Sequence, residues 1–435
     1  MNLTKKMALR ELLIFSVPII LGHLGIMLIG TGDMIIAGRY SKECLAAIGL
    51  AISFANPVMI SLLGFQFSIS PLLAQKRGNG ENIDQYFWTI IFYSMGLSIF
   101  SFLLTYLTTH IVPLFHYDEE MTKVINEYLI ITSFSAPGLC LYQGLKEFFQ
   151  AQEKTVAANV VALVASVLNL FLNYIFVFGS FGFWELKEAG LAWASLSVRF
   201  FMGVTLFLFA YRAWRLSKKI DWELIKEMMK LGGPITISLF LEIMAFCLVT
   251  LFVGKFDAIQ TAANNIALNL GSLAFMVPMS VSAAVSVKVG HSYGEGNRDK
   301  IITYGQVGLF TSLFFTFLMG SCFYFFPQWF VNFYSTDQYV LIWAAKLLFW
   351  VACFQLFDGT QVTLAGILRG ISVTRSSSVA IFIGYWIIGI PLGFYLGFYG
   401  GFEAQGFWIG LALSLALVAG MLGYVLKRKL NVLLR

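Results

Sequence analysis

Charge is the scarcest commodity in this sequence. Only 12% of its 435 residues are Asp, Glu, Lys or Arg, too few to cover the surface of a soluble protein of that length. Nine prolines are few beside 43 phenylalanines and 15 methionines, a balance suited to helices that face lipid and each other. The five cysteines, Cys44, Cys140, Cys247, Cys322 and Cys353, are scattered without a CxxC pair, and the four histidines are equally dispersed. That spacing argues against a disulfide or thiolate-metal framework. No P-loop is present, so the chain carries no obvious ATP engine. Strict alternation over segments of about ten residues, the mark of an outer-membrane barrel, is also lacking; residues 99–107 and 163–178 stay apolar over several helical turns. The first apolar stretch begins near Leu12 without a small-residue cleavage site and runs into Asp33. It reads as a retained first helix, not a removable signal.

What the chain does contain is its own first half, twice. A shift of 216 carries Pro18 onto Pro234, Ala46 onto Ala262, Gly78 onto Gly294, Gly80 onto Gly296 and Gly190 onto Gly406. A helix needs about 20 apolar residues to cross the hydrocarbon core. Segments of that kind fall at 12–38, 46–74, 88–112, 126–149, 156–179 and 188–210, then at 232–254, 262–290, 303–326, 339–367, 376–399 and 403–426. The pattern predicts an all-α polytopic membrane protein: twelve transmembrane helices in two pseudo-symmetric six-helix lobes, 1–215 and 216–435. Both halves hold six spans and start on the same side, so the repeats are parallel.

The 29 lysines and arginines are unevenly placed. Most lie in alternate connections: Lys5, Lys6 and Arg10; Lys76 and Arg77; Lys146 and Lys154; the run from Arg212 to Lys230; Lys288, Arg298 and Lys300; Arg369 and Arg375; and Lys427 to Arg435. The intervening connections hold Arg39, Lys42, Lys123, Lys187 and Lys255. The positive-inside rule puts both termini in the cytoplasm. In the charged connection 211–230, Leu224, Ile225, Met228 and Met229 recur at helical spacing among the charges, which predicts an amphipathic helix on the cytoplasmic interface.

Against this apolar background, polar residues inside spans stand out. Glu242 lies about ten residues into the seventh span, where a carboxylate costs at least about 2.5–3.5 kcal/mol unless neutralised or facing a polar cavity. Asp358 sits in the tenth span with Gln355 and Gln361 three residues away on either side, a polar face that implies a lined cavity. Asp33 follows Gly30, Thr31 and Gly32 late in the first span, where small residues admit close packing or water; a site near the outer headgroups is its bland alternative. Asn169 and Asn173, one turn apart in the fifth span, can offer carbonyl oxygens to a cation or bonds to Asp33, though asparagines also hold helices together. The eighth span carries Asn264, Asn265 and Asn269 before Pro278, and Pro57 lies in the matching span of the first repeat. A proline removes a ladder hydrogen bond, so Pro57 and Pro278 are candidate gating points, with architecture as the alternative. Arg199, within the sixth span, either snorkels, pairs with Glu188 or faces a water-filled route.

Several runs together resemble one family. Asp33-Met34-Ile35-Ile36-Ala37-Gly38, Gly78-Asn79-Gly80, Phe240-Leu241-Glu242, residues 269–290, His291-Ser292-Tyr293-Gly294-Glu295 and Leu368-Arg369-Gly370 are similar to the multidrug and toxic compound extrusion (MATE) transporters, in their NorM-like bacterial branch. The resemblance covers nearly the whole chain and implies the MATE fold, with a deep cleft between the lobes. It implies a second-lobe cation or proton site at Glu242 and Asp358, where sodium is the metal in question, and a first-lobe site at Asp33, Asn169 and Asn173. Gln355, Gln361, Asn265, Asn269 and Phe354 are candidate cleft-lining residues. Some sodium-coupled relatives carry a tyrosine where this chain has Phe354, so the loss of that hydroxyl leaves the coupling ion open.

The expected activity is antiport. Sodium or protons enter down their gradient, bind the buried carboxylates and bias alternating access so that cationic amphipathic drugs leave. An ion can do this only by binding the two states unequally. An exporter or flippase of lipid-linked or metabolite substrates is the alternative, and it would call for several basic residues inside the lobes. A structural or receptor-like membrane protein would leave Asp33, Glu242 and Asp358 as unexplained costs. No enzyme activity, no cofactor beyond the coupling ion and no nucleic acid partner are expected. The location expected is the bacterial inner membrane, as a monomer among lipids.

Overall fold

The computed structural model describes residues 4–182, 184–210, 215, 219–335 and 337–432. Tyr211, Arg212 and Lys218 of the charged connection, and Arg435, lie outside them. The described residues are nearly all helical. Eleven helices are long and apolar enough to span a membrane, and a bent helix pair makes a twelfth.

In chain order the helices are α1 (Lys5–Tyr40), α2 (Lys42–Gln66), α3 (Ile69–Gly78), α4 (Phe87–Thr108), α5 (Glu119–Phe134), α6 (Ala136–Ala151), α7 (Thr155–Phe178) and α8 (Ala189–Phe209). They continue as α9 (Trp222–Val253), α10 (Ala258–Gly294), α11 (Arg298–Phe325), α12 (Pro327–Val331), α13 (Gln338–Gly370) and α14 (Arg375–Ile381). A π-helical segment, Phe382–Gly389, leads into α15 (Ile390–Phe398), and α16 (Ala404–Val432) closes the chain.

The duplication is written into the backbone. Ser41 and Asp257, 216 residues apart, are both extended N-cap residues, and their side chains accept from the backbone N–H of Cys44 and Gln260. A side-chain oxygen there satisfies a helix donor that has no partner inside the helix. The turns after α3 and α10 repeat as well. Gly80 and Gly296 adopt φ of +85° and +66°, and the following residues, Glu81 and Asn297, donate to Lys76 and Ser292 at 3.0 and 2.9 Å. Only glycine takes a left-handed turn of this kind without steric cost. Lys187 and Glu403, again 216 apart, share φ values of +52° and +51° just before α8 and α16.

The repeats differ in their fourth and tenth spans. Residues 126–149, expected as one helix, are divided between α5 and α6, which bend by 45°. Pro137 stands in the first turn of α6; it lacks an N–H and clashes with the preceding turn, so the ladder breaks there, and Ser135 Oγ turns back to the Thr132 carbonyl at 2.6 Å. The tenth span has no proline and runs unbroken as α13. Pro18, Pro57, Pro234 and Pro278 all lie inside helices that continue through them.

Packing divides the chain into two compact units, Val17–Thr236 and Met1–Ser16 with Ile237–Arg435. This division by packing and the division by repeat, 1–215 and 216–435, part over the first 16 residues and over 216–236. Residues 222–230 form the opening turns of α9, continuous with the seventh span, instead of a separate interfacial helix. Leu224, Met228 and Leu231 are buried there in one core cluster with Phe87, Phe148 and Leu206. Lys146, grouped above with the cytoplasmic connections, is instead buried in α6 at 3% exposure, beside Gln143, Glu147 and Gln150. Gln143 donates to Glu147 at 3.0 Å.

Candidate functional site

Two polar constellations sit among the apolar helices, one in each unit. In the first, α1 brings Asp33, α7 brings Asn169 and Asn173, and α8 brings Ser195. All four are buried, the two asparagines completely. Asn173 Nδ2 donates to Asp33 Oδ1 at 2.6 Å and to Asn169 Oδ1 at 3.1 Å, while Ser195 Oγ donates to Asp33 Oδ2 at 2.9 Å. Both oxygens of the carboxylate are thus held, which is what a buried charge requires. Helical spacing explains the asparagine pair: residues four apart stack on one face. Close α1–α7 approach follows from Gly22 and Gly25, where a Cβ would lie 1.9 Å from Asn159 Oδ1 and 3.2 Å from the Ala162 carbonyl oxygen.

One turn beyond Ser195 on α8, Arg199 points to another helix. Its Nη1 donates to Ser135 Oγ at 2.5 Å and lies 3.7 Å from Met59 Sδ. Sequence reasoning missed Ser195. Its signal was the i, i+4 spacing to Arg199, faint because serine is common in membrane helices.

In the second unit, α9 carries Glu242, α13 carries Asp358 and the π segment carries Tyr385. Asp358 is 6% exposed and Tyr385 fully buried; Glu242 is half-buried. Tyr385 Oη donates to Glu242 Oε1 at 3.3 Å. The two carboxyls lie within electrostatic reach of each other, and the phenol within reach of both. Asp358 Oδ1, Gln355 Oε1 and Gln361 Oε1 are buried without a hydrogen-bond partner, and buried polar atoms in that state are rare. The donor set is made of oxygens, which suits a proton or a hard cation over a soft metal.

The remaining sequence candidates fall in varied settings. Gln355 Nε2 donates to the Gly271 carbonyl on α10 at 3.0 Å, and Gln361 is likewise buried. Asn265 and Asn269 are exposed, and Asn269 Oδ1 accepts from Tyr334 Oη at 2.9 Å. Phe354 packs edge-on against Phe246 and Trp408, at 5.9 and 5.6 Å between ring centres. Trp408 Nε1 in turn donates to Asn264 Oδ1 at 3.0 Å. Pro278 is buried and Pro57 half-buried.

With this fold and these sites in place, comparison with known proteins defines the class. A family model described as MatE matches the chain twice, over residues 18–175 and 234–395, and the two windows open on the paired prolines Pro18 and Pro234. The chain belongs to the MatE family, the MATE transporters, and it is a transporter and not an enzyme. The multidrug resistance protein NorM of Vibrio cholerae is 31% identical over 431 residues, which cover 95% of this chain and 94% of that protein. The multidrug resistance protein MdtK of Edwardsiella ictaluri is 29% identical over 436 residues, with coverage of 95% and 94%. Among solved structures, the eukaryotic MATE transporter AtDTX14 superimposes with a TM-score of 0.88 at 19% identity, covering 97% of this chain and 96% of that one. A MATE transporter in its bent conformation gives 0.86 at 17% identity, covering 100% and 99%. These likenesses show the shared fold.

Proposed function

We propose that this chain is a cation-coupled antiporter that exports cationic amphipathic compounds by alternating access. The observation that carries the reading is the Glu242–Asp358–Tyr385 group, with the Asp358 Oδ1 unpartnered inside the second unit. Burial of this kind is retained only where it does work, and ion binding to such carboxyls converts an electrochemical gradient into a population shift. The Asp33, Asn169, Asn173 and Ser195 group supplies a first-lobe cation or proton site on the same logic. The names of the NorM and MdtK relatives support a drug-like substrate class. In this reading the lobes are 1–215 and 216–435, both termini are cytoplasmic, and the protein works as a monomer in the bacterial inner membrane.

The test is dye accumulation in everted membrane vesicles under sodium and proton gradients imposed separately. A gradient of at least one of the two ions directed from the vesicle lumen to the bath is expected to drive uptake of a cationic fluorescent dye into the lumen. Dye movement indifferent to both gradients would overturn the reading.

A further inference from the structure

One buried face of α6 carries charge that neither polar constellation uses. Gln143, Lys146, Glu147 and Gln150 recur at i, i+3, i+4 and i+7, the spacing of a single helix face, and each is at most 4% exposed. Polar groups are costly inside a span unless they are matched. Gln143 Nε2 donates to Glu147 Oε1 at 3.0 Å, and Gln150 Nε2 donates to Ser70 Oγ of α3 at 3.4 Å. Lys146 is the exception: among the described residues its ammonium has neither a hydrogen bond nor an ion pair. Glu147 lies within electrostatic reach of it, but consecutive helical side chains diverge by about 100°, and this carboxylate is turned to Gln143. From α1, His23 also lies within electrostatic reach of Lys146. Two nitrogen bases brought together inside an apolar unit call for an anionic acceptor, and Glu147 offsets one positive charge at most.

The second repeat shows that the architecture does not require this face. Glu153 and Ser372 share left-handed φ values of +63° and +59° just after α6 and α13. The residues after them, Lys154 and Val373, donate to the carbonyls of Phe149 and Leu368 at 2.9 and 2.8 Å. Counted back from that common turn, Gln143, Lys146 and Glu147 correspond to Val362, Ala365 and Gly366, while Gln150 has a polar counterpart in Arg369. Gly366 lies flush against α10, where a Cβ would come to 2.6 Å from the Ser282 carbonyl oxygen. The same helix end is closely packed in one unit and lined with amides and charge in the other.

We propose that Lys146 anchors an anion-binding site inside the first unit, which takes the carboxylate or phosphate group of an amphiphilic molecule. The site rests on the fold of this unit and stands apart from the antiport reading, so either can fail without the other. A lysine ammonium offers three donors and no acceptor, and a charge-assisted bond to an anionic oxygen satisfies its charge and its hydrogens together. Lys146 stands five residues before the end of α6 at Ala151, about 7.5 Å along the helix axis. The neighbouring Leu145, Phe148 and Phe149 belong to an apolar core cluster, surroundings that favour an anionic group carried on a hydrocarbon body over a bare ion.

The test is the melting temperature of the purified full chain in phosphatidylcholine nanodiscs against rising concentrations of dodecyl phosphate, dodecanoate and dodecanol, for the wild type, Lys146→Arg and Lys146→Met. In the wild type both anions are expected to reach half-maximal stabilisation at least about tenfold below dodecanol, the scale of one charge-assisted contact. Lys146→Arg is expected to keep that preference and Lys146→Met to lose it, with the response to dodecanol unmoved. Equal half-saturation by all three probes in the wild type overturns the proposal without recourse to a variant, and so does a preference retained in folded Lys146→Met. Phosphatidylglycerol added to the nanodiscs separates the sources of the anion. Stabilisation by the anionic probes that then vanishes assigns the site to a lipid headgroup, and stabilisation that persists assigns it to a free amphiphile; both support the site.

Discussion

Asn173→Ala, measured alone and in an Asp33→Asn background, asks whether the first-lobe group acts as a unit. Asn173 Nδ2 is shared between Asp33 Oδ1 at 2.6 Å and Asn169 Oδ1 at 3.1 Å. Its removal takes a charge-assisted hydrogen bond, about 1.5–3 kcal/mol, from a buried carboxylate that keeps the Ser195 hydroxyl. A loss of about 2 kcal/mol, expressed in efflux, is about a thirtyfold drop in rate. In the Asp33→Asn background the bond to be lost is between neutral groups, worth about 0.5–1.5 kcal/mol, so the same Asn173→Ala change should cost at most about tenfold. The assay is initial dye efflux at matched membrane abundance, with thermal stability of the purified variants as a folding control. Residues in contact couple by about 0.5–3 kcal/mol, and independent ones add within about 0.5 kcal/mol. Equal losses in both backgrounds would refute the idea that Asn173 works through Asp33.

A cysteine introduced at exposed Lys219 should react with an impermeant maleimide only from the cytoplasmic side; labelling from outside in intact cells would reverse the proposed orientation. Gly406→Leu should reduce membrane abundance, because even a Cβ there would lie 2.5 Å from the Gly397 nitrogen and overpacking costs about 1–3 kcal/mol; normal abundance and melting temperature would show that α15 and α16 can separate at no cost. Asp33→Asn alone keeps the shape and one oxygen to accept from Asn173 Nδ2, while its amide nitrogen replaces the oxygen that accepts from Ser195, so it should weaken efflux and flatten its pH profile with the protein still folded. Full efflux with an unchanged profile would leave ion coupling to Glu242 and Asp358.

How much of this was legible in the chain depended on contrast. Asp33, Asn169, Asn173, Glu242 and Asp358 are conspicuous because polar groups are costly in apolar spans, and the structure gathers the first three into one bonded cluster. The offset of 216 marked the duplication, and the caps at Ser41 and Asp257 carry it into the backbone. Ser195 and Tyr385 escaped notice for the opposite reason. Serine and tyrosine are ordinary in membrane helices, and their partners are 162 and 143 residues away in the chain, beyond any local pattern. The π turn that aims Tyr385 has no sequence signature of its own. Lys146 was misplaced because a lysine near a span end usually marks a loop, whereas here a face of Gln143, Glu147 and Gln150 accompanies it into the core. The opening turns of α9 looked interfacial since their apolar side is equally suited to lipid or to a protein core; packing decided for the core.

The central claim is that the Glu242 and Asp358 carboxyls turn an ion gradient into export, and gradient-driven efflux by Glu242→Gln and by Asp358→Asn tests it most directly. Both substitutions preserve size and leave one accepting oxygen while removing the charge that binds the ion. With each variant at wild-type abundance in the membrane, coupled efflux is predicted to be abolished or reduced at least about tenfold, consistent with losing a charged contact worth about 1.5–3 kcal/mol. Wild-type efflux by both variants under the same gradient would contradict it.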